Sequence, residues 1–205
     1  ANVPPGQIVQ VSTYVGHEEL TREVVRAAYQ RGARWVDVIS TDLYVKRERL
    51  LHADPETLEY VPQWMIDRLD TLGDERGARI SLSGLSQPDA LAGVDPMLAG
   101  RDLLPYLPNL GKVINRNATL WCVAPCPTPA WARVVYPELD EEAAYDRLWD
   151  AIAHMCRLDE PDPAAAWREW SDALKAIAAR LTDRRFDAVR LHGPGTDVTV
   201  GLLGS

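Results

Sequence analysis

The chain has 205 residues, 46% apolar and 25% charged, with a formal charge of −8 from 30 acids against 22 bases. That composition is globular, neither disordered nor fibrous, and a chain of this size buries enough surface to hold a core without disulfides or metals. Between Glu138 and Asp172 eleven acids face three bases, and the remainder is balanced, so no basic stripe exists to attract a phosphate backbone and nucleic acid is excluded as a partner.

The β-branched run Gln7–Tyr14 follows Pro4-Pro5-Gly6 and predicts a first strand. Leu20, Val24, Ala27 and Ala28 then recur at helical spacing, with Gly32 as a stop before a second strand at 35–40. Met65, Ile66, Leu69 and Leu72 mark another helix that is expected to stop at Gly77, and 78–83 predicts a third strand. A proline-punctuated helical region (Pro96, Pro105, Pro108) leads to a fourth strand at 119–124, after which Thr128-Pro129 reads as a helix start. In the acidic stretch Tyr145, Leu148, Ile152 and Met155 form one apolar face. Behind Asp162-Pro163, residues Trp167, Trp170, Leu174, Ile177 and Leu181 form a second, and both helices are expected to cover the sheet. Finally 186–192 and 196–202 alternate with period two around Gly193-Pro194-Gly195, which is hairpin chemistry. Strands alternating with helices predict an α/β fold of three layers, a doubly wound and mostly parallel sheet with helices on both faces. The hairpin breaks that alternation. It is expected to begin a second domain, giving 1–185 as the α/β part and 186–205 as the start of another.

Ligands of such sheets bind at the carboxyl ends of the strands. The loop Val15-Gly16-His17-Glu18-Glu19 carries one glycine and no dinucleotide fingerprint, and none of Lys46, Lys112 or Lys175 follows a phosphate loop, Lys112 alone coming after a glycine, Gly111. His17-Glu18 is half of a zinc motif, but position 21 is Thr, so His17 is expected beside a helix start with Glu18 and Glu19 favoured by the dipole. Cys122, Cys126 and Cys156 are odd in number and lack ligand spacing, which predicts inert thiols and a reducing, cytoplasmic setting. His17, His52, His154 and His192 do not pair at ligand spacing, which leaves only a site assembled in space. Ser83-Gly84-Leu85-Ser86 lacks the second glycine of a nucleophile elbow and predicts a polar loop. Asp37 and Asp42, flanking the end of the second strand, are expected to cap or to form turns. The seven tryptophans are expected to pack. No apolar run reaches the roughly 18 residues of a membrane span, and the start lacks a secretion signal, so no membrane partner is expected.

Several stretches nevertheless resemble one family in order. The segment Arg190–Leu202, containing Gly-Pro-Gly-Thr-Asp-Val-Thr-Val-Gly-Leu, is similar to a segment of the thermophilic-type metallo-aminopeptidases. Pro127–Ala132, Ala144–Trp149, Cys156–Asp159, Asp162–Arg168, Asn2–Gln7 and Arg31–Asp37 look like that family's first domain. The resemblance implies an exopeptidase that removes N-terminal residues from peptides with a pair of divalent metals, Zn or Co, holding the nucleophilic water. It also implies that the ligands lie in an absent C-terminal domain, that the chain is an N-terminal fragment inactive alone, and that the enzyme is a homodimer. No catalytic, cofactor-binding or metal residue is therefore assigned here. The rival reading is a free-standing small-ligand module using the loops near Gly16, Asp42 and Gly84.

Overall fold

In the computed structural model, which describes residues 3–105, 107–116 and 119–202, strand β1 (Ile8–Tyr14) is the centre of the architecture. It pairs in parallel with β2 (Trp35–Thr41) on one side and with β3 (Ala78–Ser83) on the other, and β3 pairs in parallel with β4 (Leu120–Pro125). The order is β2-β1-β3-β4. The crossovers are helical because parallel neighbours cannot be joined by a tight turn. They comprise α1 (Glu18–Gln30), α2 (Leu43–His52), a short 3-10 turn (Pro55–Thr57), α3 (Gln63–Asp74), α4 (Pro96–Arg101) and α5 (Leu110–Asn115). After β4 come α6 (Pro129–Val135), α7 (Glu141–Met155) and α8 (Pro163–Asp183), and then the antiparallel hairpin β5 (Ala188–Gly193) and β6 (Thr196–Gly201).

Alternation along each strand sends residues to two faces. On one face Val9 and Val11, both 0% exposed, pack with Val36, Ala78 and Leu82 beneath Leu20, Val24 and Ala28 of α1. On the other Ile8 joins Leu69 and Leu72 of α3 and Val113 of α5. Three layers with helices on both faces result, as expected. The chain divides into two compact units, Ala1–Asp150 and Ala151–Ser205. Among the described residues no helix is long and apolar enough to cross a membrane.

One helix lies outside the elements expected from the sequence, and two expectations need correction. Helix α2 was not marked by periodicity; its start is fixed by Asp42, whose carboxylate accepts from Tyr44 N at 2.8 Å. It is anchored by Lys46 and Arg49, which approach the buried Asp102 carboxylate at 3.5 and 3.7 Å. Gly77 is not the residue that stops α3, because Arg76 takes the left-handed conformation (φ 50°) after the helix ends at Asp74. Gly77 is needed for close approach: a Cβ there would lie 2.9 Å from the Ile8 carbonyl oxygen and 2.3 Å from Leu72 Cδ1. Trp35, Trp64 and Trp121 are exposed rather than packed. In the second unit α8 buries no residue, and its stripe from Trp167 to Leu181 is 43–56% exposed. Its ring chemistry is local: Trp167 Nε1 donates to the Cys156 carbonyl at 2.8 Å, and the Arg157 guanidinium lies 5.2 Å from the centre of Trp170.

Candidate site at the carboxyl end of the sheet

Because the chain passes from β1 outward to β2 and then returns to the opposite side of β1, the crevice of this sheet opens at the carboxyl ends of β1 and β3. Three loops meet there. The first, Val15–His17, leads from β1 into α1, whose N-cap is His17 and whose first turn holds Glu18 and Glu19. The second, Gly84–Ser86, follows β3. The third, Cys126–Thr128, follows β4 and starts α6, where Thr128 Oγ1 accepts from Trp131 N at 3.0 Å and donates to the Leu85 carbonyl.

His17 is the most enclosed polar group at this junction, with 1% of its surface exposed and neither ring nitrogen partnered among the described residues. Its ring meets that of Tyr14 edge-on at 5.9 Å. Burial lowers its pKa, and the nearby Glu18 carboxylate only partly opposes this, so the imidazole is neutral at pH 7. Its carbonyl accepts from Thr21 Oγ1 at 2.8 Å, and Thr21 Oγ1 lies 3.0 Å from Thr13 Oγ1. The Gly16 amide donates to Glu18 Oε1 at 2.9 Å, and this bond holds the Glu18 carboxyl below its usual pKa.

Backbone closeness explains the glycines. A Cβ at Gly84 would sit 2.2 Å from the Cys126 carbonyl oxygen and 3.3 Å from His17 Nε2, while one at Gly16 (φ +96°) would sit 3.1 Å from Ser86 Cβ. Only glycine lets the three loops touch. Cys126 is buried and its thiol is pushed up to about 11, first by burial and then by Glu18. It is protonated and inert at neutral pH, as expected from its apolar surroundings. Beside these loops a hollow of about 390 Å³ is lined by Glu18, Glu19, Cys126, Pro129, Tyr145 and Trp149.

The remaining candidates are dispersed. Asp42 caps α2 and also accepts from Gln87 Nε2 at 2.9 Å, the larger cause of its lowered pKa. Asp37 neither caps nor turns: its carboxylate holds the Arg68 guanidinium, with Nε at 2.7 Å. Ser83 Oγ reaches the Ala124 carbonyl at 3.5 Å, and among the described residues no hydrogen bond joins it to a base. His154 pairs with Asp159 at 2.8 Å, His52 with Glu48 at 3.3 Å, and His192 lies 4.0 Å from Asp197. Among the described residues no three His, Cys, Asp or Glu side chains come together as a metal site, so the residues present do not fit a metal pair. Sequence reasoning put His17 at the helix start correctly but missed its enclosure. The signal available was Gly16 and Gly84, each beside a strand end.

Fold and site together define a doubly wound α/β domain whose loops enclose His17 and Thr128 where the strands end. The comparisons narrow the class: the chain belongs to the thermophilic metalloprotease family, M29, which matches residues 1–205. It is 38% identical over 205 residues to aminopeptidase T of Thermus thermophilus, covering 98% of this chain and 50% of that protein. With aminopeptidase PepS of Streptococcus thermophilus it shares 35% identity over 209 residues, again covering 98% of this chain and 49% of the relative. The solved structure of wild-type AmpT from Thermus thermophilus superposes with a TM-score of 0.82 at 36% identity, over 98% of this chain and 50% of that one. The chain thus spans about half the length of the relatives it matches.

Proposed function

We propose that this chain is the N-terminal part of a metal-dependent aminopeptidase that removes N-terminal residues from peptides, and that it walls in and orients the substrate while the metals are held elsewhere. The observation that carries this reading is the match over the whole chain to relatives named aminopeptidases, of which it covers half. On this reading a pair of divalent ions, Zn or Co, is bound by residues beyond this chain and supplies the activated water. The contribution of 1–205 is shape, with no catalytic, cofactor-binding or metal residue of its own. We place the boundary of the α/β domain near 185, with 186–205 beginning the catalytic domain; the hairpin's separate two-stranded sheet supports this. The working enzyme is a cytoplasmic homodimer. The test assays residues 1–205 alone, and 1–205 joined to the downstream half of its reading frame, on leucyl and arginyl chromogenic amides with added Co²⁺. Metal-dependent turnover by the joined protein only is the expected result. Equal turnover by 1–205 alone, surviving repurification, overturns the division of labour. No turnover by a folded, metal-loaded joined protein overturns the activity.

A further inference from the structure

A buried polar ring is ordinarily hydrogen-bonded, and His17, where the three loops meet, is not. It is 1% exposed, neither ring nitrogen has a partner among the described residues, and the residue forms part of the wall of the hollow of about 390 Å³ beside those loops. The wall belongs wholly to the compact unit Ala1–Asp150. Its volume falls within the roughly 300–1,000 Å³ of small-molecule sites. Neither the core nor the peptidase reading employs this space.

Charge and ring chemistry select the ligand. Glu18 and Glu19 line the hollow, and among the described residues no Lys or Arg does. Glu18 is already engaged: its Oε1 accepts from the Gly16 amide at 2.9 Å, and the Arg22 charge, one helix turn on, favours its ionised form. Glu19 is exposed, and among the described residues no ion pair holds its carboxylate. The neutral imidazole of His17 adds no positive charge and offers a lone pair to an N–H donor. Tyr145 and Trp149 of α7 add two rings whose centres lie 6.4 Å apart with 81° between their planes, and aromatic faces attract cations. Leu20 and Pro129 supply apolar surface. Two carboxylates repel an anion, and the Gly16 amide at this helix start is already taken, whereas an organic cation finds charge, an acceptor and rings together.

We propose that this hollow binds a small primary ammonium on an apolar body, its charge beside Glu19 and Glu18, its body against Tyr145 and Trp149, and the His17 imidazole as a further acceptor. The site needs no metal and lies within residues 1–205, so it stands or falls apart from the peptidase reading. A free amine and the N-terminus of a peptide both carry this chemistry, and the test separates them. It is calorimetry at pH 7 on the 205-residue chain with 2-phenylethylammonium, phenylalanylglycinamide, 2-phenylethanol and 3-phenylpropanoate. Saturable, one-to-one binding of at least one of the two ammonium compounds is expected, with a Kd below about 1 mM, and the alcohol and the propanoate at least tenfold weaker. Tighter binding of 2-phenylethylammonium assigns free amines, and binding of the dipeptide amide at least as tight assigns peptide N-termini. Glu19→Gln, at an exposed position, is expected to weaken binding at least tenfold with an unchanged circular dichroism spectrum, and Glu19→Asp to keep part of it. Should Glu19→Gln disturb the fold, Trp149→Leu is the second variant and is expected to weaken binding at least fivefold. No saturation by either ammonium at 10 mM, the alcohol or the propanoate binding as tightly, or a folded Glu19→Gln or Trp149→Leu chain that binds undiminished overturns the proposal.

Discussion

The two faces of the parallel sheet share one hydrogen-bonded ladder and carry opposite chemistry. Beneath α1 the side chains are Val9, Val11, Ala78 and Leu82, and no more than 1% of any of them reaches solvent. One residue along in each strand they are Gln10, Ser12, Arg79 and Ser81, and the layer above them leaves a cavity. Period-two alternation lets a single set of strands serve as core on one side and as a polar floor on the other. Buried polar groups cost free energy unless partnered, so a floor of this kind is maintained against stability. The apolar face should therefore govern folding, and the polar face should tolerate change.

The sharpest test is Leu82→Ala on the apolar face. A loss of about 3 kcal/mol in urea unfolding is expected, because deleting a buried leucine removes transfer free energy and leaves a cavity. A loss below about 1 kcal/mol would show that the α1 face is not the core. Next in size is Gly84→Ala, where the new methyl would meet the Cys126 carbonyl oxygen at 2.2 Å. A cost of about 1–3 kcal/mol is expected from the enforced backbone shift, and an unaltered melting temperature would mean that the three loops are not in contact.

The third test is pH. Burial lowers the pKa of His17 below 6.5 in the folded chain, so in acid the unfolded chain takes up its proton first. This contribution to stability is complete above pH 6.5 and is lost as pH falls below it toward the folded-state value. The carboxyls of Asp42 and Glu18 are also depressed, but their contributions fade only as pH falls through the carboxylate range. His17→Gln should accordingly flatten the melting temperature as pH falls below 6.5 while leaving the steeper acid limb of the carboxylates. An identical slope in that window for both chains would show His17 to be solvated. The smallest loss belongs to the polar face: Ser81→Ala is expected to leave stability unchanged or raise it by up to about 1 kcal/mol, because the buried hydroxyl has no partner among the described residues to lose and its desolvation cost is removed. A loss above 2 kcal/mol in urea unfolding would place Ser81 in the core and erase the contrast between the faces.

Much of the fold was legible because its signals are local. β-branched runs bounded by Gly and Pro marked the four parallel strands, Thr128-Pro129 marked the start of α6, and Gly193-Pro194-Gly195 marked the closing turn. Helix α2 was not legible, since its anchors come from Asp102, more than fifty residues away, rather than from an apolar stripe. The pairing of Asp37 with Arg68 was hidden for the same reason. At the strand ends the sequence placed His17, Glu18 and Glu19 at a helix start, and helix-end preferences are a property of a few neighbouring residues.

The sequence by itself determined the alternation of elements, the period-two hairpin and the ordered motifs of the M29 family, all of which depend on residue type and spacing along the chain. Tertiary structure alone decided the order β2-β1-β3-β4, the enclosure of His17 by three loops and the cavity over Arg79 and Ser81. These depend on which strands become neighbours and on how completely a helix layer closes over them. Such contacts join residues distant in sequence, and no local propensity encodes them.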